Sequence, residues 1–203
     1  MKNLKLAFVL TAALVVSACQ GSTAVRVNSI IDEQPETQAL NARDFQEAAV
    51  EMVESMISSG AINNPNGGRY ILAISNIDNR TMQRIDTDQL VKKIRVSLLN
   101  SGRVLVTTAV GIGGAEDTMS RAARELREDN EFDQSRVARK NQLQAPEFSL
   151  SGKIIQKDVT VSRSKRLVEY YFQLSLTHIE SGLAYWEGEK QISKIGSSKT
   201  VSW

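Results

Sequence analysis

The chain has 203 residues, with 25 Lys and Arg against 23 Asp and Glu, one histidine and one cysteine. A single thiol, Cys19, excludes an internal disulfide, and a single histidine, His178, leaves zinc and haem sites short of ligands. Lys2 and Lys5 belong to an apolar leader; taking these two from the 25 basic residues leaves 23 to balance the 23 acids, so the global charge does not argue for nucleic-acid binding.

The stretch from Leu6 to Val16 is apolar except for Thr11. It is shorter than the roughly 20 residues a membrane-spanning helix needs. A charged start, a short apolar middle and the small residues Ser17 and Ala18 make residues 1–18 a secretory signal peptide. "Val16-Ser17-Ala18-Cys19" resembles the bacterial lipobox, whose cysteine is joined to diacylglycerol and becomes the first residue after cleavage. That resemblance implies lipidation of Cys19. With Gln20 in place of an aspartate, it also implies sorting to the outer membrane, facing the periplasm. Residues 19–41 are mostly polar without a sustained period, and read as a lipidated tether with a maximum reach of about 75 Å. Within it "VNSII" could instead pair as an edge strand.

Residues 42–203 suit one globular domain with one core. From Asp44, the residues Phe45, Ala49, Met52 and Met56 recur at helical spacing, widened by Val53 and Ile57, and Gly60 ends the run. "NNPNGG" breaks the chain and "RYILAISNI" reads as a buried strand. After "DNRT" a second helix is expected, with Asp86 and Gln89 at capping-box spacing, Leu90, Ile94 and Leu98 on one face, and Gly102 at its end. "RVLVTTA" is a short strand. Beyond "GIGGA", the polar stretch Glu116 to Gln144 predicts two helices with a break near Asn130 to Asp133. Three strands follow in "EFSLSGKIIQKDV", "RLVEYYFQLSLTHI" and "LAYWEGEKQIS", the last two joined through "ESG" by a bulged turn at Gly182. The fold class is α+β, with a mainly antiparallel or mixed sheet of about four to five strands and helices on one face.

Alternation along the second of these segments divides it cleanly. Val168, Tyr170, Phe172, Leu174 and Leu176 point to a core, while Glu169, Tyr171, Gln173, Ser175 and Thr177 point away from it. In the preceding strand Ser149, Ser151, Lys153 and Ile155 share the second direction. A helix-covered sheet with a polar outer face offers a docking surface, with plain solvent exposure as the alternative.

No catalytic set emerges, since His178 has no serine elbow to serve and packs beside the hairpin turn. The carboxylates between Glu116 and Asp133 read as a solvated face. "GIGGA" lacks the residues of a phosphate or dinucleotide loop, and no cofactor is called for. Asn79 and Arg80 shape the turn between strand and helix. Lys153, Lys157, Arg163, Lys165 and Arg166 gather around one strand connection, where they either meet an anionic partner or guard a hairpin tip against edge pairing.

The anchor "VSAC", the run "ISNIDNRTMQRIDTDQLVKKIRVSLLNSGRVLVTTA", and "PEFSLSGKI" with "YYFQLSLTHIESGLAYWEGE" are similar to the LpoB-type penicillin-binding protein activators, outer-membrane lipoproteins of Gram-negative bacteria. The likeness covers about two thirds of the mature chain and is weakest across Ala109 to Leu143. It implies a non-enzymatic protein that binds and stimulates a bifunctional, class A penicillin-binding protein and so regulates peptidoglycan synthesis. The implied partners are that synthase, the outer membrane through the lipid anchor and, as an additional surface, peptidoglycan. Position in the family's globular domain, combined with the alternation, selects Ser151, Tyr171, Gln173, Ser175 and Thr177 as partner-binding residues. The tether departs from the family pattern, being about 20 residues long with the single proline Pro35. The rival reading is an oligomerising outer-membrane assembly or secretion lipoprotein, related in fold to the curli secretion lipoprotein. A membrane-spanning hairpin would mark it, and the row Ala184, Trp186, Gly188, Lys190 does not supply one.

Overall fold

The computed structural model describes residues 38–111, 117–197 and 199. The leader, Cys19, the tether as far as residue 37 with its "VNSII" stretch, and residues 112–116 of the glycine-rich loop lie outside the described residues. The elements run α1 (Ala42–Ser58), β1 (Tyr70–Arg80), α2 (Thr87–Asn100), β2 (Val104–Val106), α3 (Thr118–Glu125), β3 (Phe148–Thr160), β4 (Lys165–His178) and β5 (Ala184–Ser197). They form the expected α+β fold around a five-stranded mixed sheet of order β2-β1-β3-β4-β5.

β1 pairs in parallel with both β2 and β3, and β3, β4 and β5 form an antiparallel meander. α1 and α2 pack on one another, α1 against β5 and α2 against β1 and β2, so one face of the sheet is covered. The core between the layers takes Ala48, Met52 and Met56 from α1, Leu90, Ile94 and Leu98 from α2, and the apolar set of β4 from Val168 to Leu176. Phe45 meets Phe172 edge-on, with ring centroids 6.0 Å apart.

β1 departs from strict alternation. Leu72, Ile74 and Ile77 are all buried, although Ile74 and Ile77 are three residues apart. A bulge between them lets Ile74 pair with Leu150 and Ile77 with Gly152, so one extra residue restores the inward direction for Ile77 and leaves Asn76 outside. A second bulge inserts Tyr185 opposite the step from Leu176 to Thr177, and Gly182 takes the left-handed φ of 68° that the hairpin turn requires.

Only one of the two helices expected between Glu116 and Gln144 forms. α3 continues as a single 3-10 turn, Leu126–Glu128, and a run of turns follows. Local bonds outcompete a second helix there: Gln134 Nε2 donates to the carbonyls of Leu126, Asp129 and Phe132, while the Asp133 side chain accepts from the amide of Ser135. No residue of α3 is buried and Met119 is exposed, so the stretch has no apolar face to dock and hold helical.

At the start of α1 a polar network is sealed under the sheet's edge. Asn41 and Asp44 form a reciprocal capping box, in which the Asn41 side chain accepts from the Asp44 amide and the Asp44 carboxylate accepts from the Asn41 amide at 2.7 Å. The same carboxylate takes Lys194 Nζ of β5 at 2.6 Å, and both side chains are nearly buried, at 11% and 7% exposure. Lys194 also donates to the Ala39 carbonyl at 3.0 Å. Beside it the Tyr170 hydroxyl donates to the Gln38 carbonyl at 2.9 Å and accepts from Gln83 Nε2 at 2.8 Å, while Gln83 Oε1 takes the Leu40 amide. Gln38 to Asn41, the last residues of the span that the sequence gives to the tether, are thereby held against the domain.

Removing one member of a buried ion pair strands the other, at a cost of about 3–5 kcal/mol. Lys194→Ala should therefore lower unfolding stability by about that amount in urea titration, and Lys194→Met combined with Asp44→Leu should recover most of it. Burial, aided by the carboxylates of Asp158 and Asp44, pushes the Tyr170 phenol up to about 12 from its ordinary value of 10. The folded state thus keeps a proton that the unfolded chain releases, and stability falls as pH rises from 10 to about 12, by on the order of 2 kcal/mol in all. Tyr170→Phe should flatten that decline while costing about 1–3 kcal/mol at neutral pH, because Gln83 and the Gln38 carbonyl lose their partner. Urea titrations at pH 9 and 11.5 check both.

Candidate functional site

Away from the helices, the sheet presents an open face. Ser151, Tyr171, Gln173, Ser175 and Thr177 all lie on it, half-buried. β3 and β4 bring them together through register: Ser151 pairs with Ser175, Lys153 with Gln173, Ile155 with Tyr171 and Ser149 with Thr177.

β5 extends these rows, placing Glu187 opposite Ser175, Glu189 opposite Gln173 and Gln191 opposite Tyr171. Side-chain bonds follow the pairing. Gln173 Nε2 donates to Glu189 Oε2 at 2.6 Å, and Ser175 Oγ to Glu187 Oε1 at 3.2 Å. The Tyr171 hydroxyl donates to Glu169 Oε2 at 3.1 Å, and Gln191 Nε2 donates to Glu169 Oε1 at 3.0 Å. Lys157 Nζ stands 4.0 Å from the same carboxylate. Partial burial, then the bond to Glu169 and its charge, push the Tyr171 phenol above its ordinary value, so it stays a donor at any physiological pH.

On the other side Lys153 of β3 pairs in register with Asp78 of β1. The face therefore carries Asp78, Glu169, Glu187 and Glu189 against Lys153, Lys157, Lys165 and Arg80, the last paired with Asp78, and its acids gather on the β5 side at Glu187 and Glu189. A groove of about 810 Å³ runs over it from Ser75 and Asn76 to Glu187 and Glu189. Beneath it, on the core side of the sheet, Gly152 leaves no room for a side chain, since a Cβ would come within 2.4 Å of the Gln173 carbonyl oxygen. The carboxylates of β5 alternate in the sequence as Glu187, Glu189, so their direction was readable. Their bonding to Gln173 and Ser175 was not, because it depends on strand register.

Other candidates fall elsewhere. His178 lies at the β4–β5 turn, its Nδ1 2.9 Å from Ser181 Oγ and its ring 5.2 Å from that of Phe148 and 5.5 Å from that of Tyr185. Asn79 holds the β1–α2 turn by donating to the Gln83 carbonyl and accepting from Thr81. Among the described residues no three His, Cys, Asp or Glu side chains are grouped to hold a metal, and no helix is long and apolar enough to cross a membrane.

The family model of the peptidoglycan-synthase activator LpoB matches residues 44–192, which takes in α1 from Asp44, all of α2 and β1 to β4, and β5 as far as Ile192. This chain belongs to that family. Solved structures similar to it include the LpoB C-terminal domain from Escherichia coli, 14% identical with a TM-score of 0.44, covering 74% of this chain and 99% of that one. The LpoB C-terminal domain from Salmonella enterica is 13% identical with a TM-score of 0.44, over 73% of this chain and 98% of that one. The solution structure of E. coli LpoB is 14% identical with a TM-score of 0.41, over 91% and 85% respectively. No curated protein matches the chain. As a member of the LpoB family it falls among regulators of peptidoglycan synthesis.

Proposed function

We propose that this protein is an outer-membrane lipoprotein, held through Cys19, that docks on a class A penicillin-binding protein and stimulates it. In this reading residues 1–18 are a leader, 19–41 carry the lipid and act as the tether, and 42–203 are the working domain. The observation that supports it is the helix-free polar face, in a chain of the activator family, where Ser151, Tyr171, Gln173, Ser175 and Thr177 stand in register with a row of carboxylates. Stimulation then works by population shift, since docking must be tighter on the active synthase than on the resting one; equal affinity for both would change nothing. Because Glu187 and Glu189 line the β5 side of the face, that side complements a basic patch on the synthase, which favours fast, oriented encounter more than raw affinity.

The test uses soluble residues 20–203 with a purified class A synthase, recording glycan polymerisation with and without the protein. Faster polymerisation is expected, and Ser175→Arg or Thr177→Lys should raise the half-maximal concentration at least about tenfold, a loss of roughly 1.4 kcal/mol, without altering the melting temperature. No acceleration by the unmodified domain would sink the activator reading. Acceleration untouched by both variants would keep the activator and move its docking face. For the anchor, Cys19→Ala should pass from a salt-resistant membrane fraction to one released by a salt wash, whereas retention through the wash would remove the lipid from the account.

A further inference from the structure

The open face changes character toward the β3–β4 turn. Polar pairs give way to the apolar row Val159, Leu167, Ile195, in register across three strands. Ile195 is 60% exposed and Val161, in the turn itself, 53%. Met82 is 63% exposed in the β1–α2 loop, and it belongs to the same end because its amide donates to Gln156 Oε1 of β3 at 3.1 Å. Exposed cations lie at this end, with Arg163 and Lys165 at the turn, Lys199 after β5, and Arg84 on the β1–α2 loop. The acids of the β1–α2 side, Asp78, Asp86 and Asp88, lie away from the turn and Asp78 is paired with Arg80, while the turn itself, from Val159 to Val168, carries no acid. A groove of about 350 Å³ opens between Lys165 and Ile195.

The chain also enters the domain here. Gln38 Nε2 donates to the Arg166 carbonyl, and the Gln38 side chain fills the space over Gly196, where a Cβ would lie 2.4 Å from that nitrogen. Gln38, the first described residue, therefore sits at this end, and Cys19 is nineteen positions upstream in the sequence.

We propose that the β3–β4 end is a membrane-contacting surface that binds anionic phospholipid. Apolar tips flanked by cations fit the boundary between acyl chains and headgroups, where Val161, Ile195 and Met82 leave water and the basic side chains meet phosphates. A soluble polyanion would explain the cations alone and not the three exposed apolar side chains among them. The orientation rests on the anchor reading above: a lipid at Cys19 would hold the bilayer at high effective concentration next to this end, and a second weak contact would turn marginal anchoring into stable seating. The lipid contact itself belongs to the domain's own residues.

Residues 20–203, without the lipid, are sedimented with vesicles of phosphatidylcholine mixed with phosphatidylglycerol, with vesicles of phosphatidylcholine alone, and with isolated peptidoglycan. Binding is expected on the mixed vesicles and should weaken as salt is raised. Arg163→Glu with Lys165→Glu should weaken it by about tenfold or more, as should Val161→Ser with Ile195→Ser, both with unchanged circular dichroism and melting. The proposal is overturned by no binding to mixed vesicles at low salt, by equal binding to neutral ones, by indifference to both pairs of substitutions, or by retention on peptidoglycan alone. The polymerisation assay runs in solution without vesicles, so its failure and the failure of this proposal are read separately.

Discussion

A carboxylate that answers to two partners at once sets the geometry of this domain. Asp44 closes the capping box of α1 and meets Lys194 of β5, whose ammonium also reaches back to Ala39 in the entering chain. Helix start, far strand and incoming backbone are thus tied to one buried point. Such a pair is a weak source of net stability, because desolvation offsets most of the attraction, but it tolerates few alternative placements. Tyr170 and Gln83 repeat the arrangement with neutral groups beside it. α1 is thereby fixed across β5 on one side of the sheet, and with α2 it covers that side.

What is left over is the other side, and its chemistry follows from that placement. Period-two alternation obliges β4 to put something outward for every core residue it puts inward. The residues used are polar and spend their hydrogen bonds on each other: Gln173 on Glu189, Ser175 on Glu187, Tyr171 and Gln191 on Glu169. Side chains already ordered lose little further freedom when a partner arrives, so a face of this kind is suited to binding without rearrangement.

The sequence made the helices and the meander legible because both announce themselves locally. Phe45, Ala49, Met52 and Met56 declare α1, Leu90, Ile94 and Leu98 declare α2, and the alternation of β4 identified in advance which of its residues face outward. Three features stayed hidden for related reasons. The bulge between Ile74 and Ile77 depends on which residues of β3 lie opposite, and the joining of Glu187 and Glu189 to Ser175 and Gln173 depends on register in the same way. The Asp44–Lys194 pair joins residues 150 positions apart, and neither looks unusual in its own segment. The expected second helix after α3 was an error of another sort: Asx-type bonds at Asp129 and Asp133 supplied a more favourable local solution.

The excursion from Thr107 to Glu147 is fastened at its ends and loosely bound between them. Its two ends are fastened on either side of β1, the Thr107 amide on the Leu72 carbonyl and the Glu147 amide on the Ile71 carbonyl, so they stand about two strand spacings, or roughly 10 Å, apart. Between them no described residue is buried. The sheet therefore asks of this stretch only that it bridge a short gap, and halving or doubling its length changes the closure entropy by only about 0.6 kcal/mol. It is the natural splice point of the molecule, where a label, a tag or an entire inserted module can be carried without disturbing either the core or the open face.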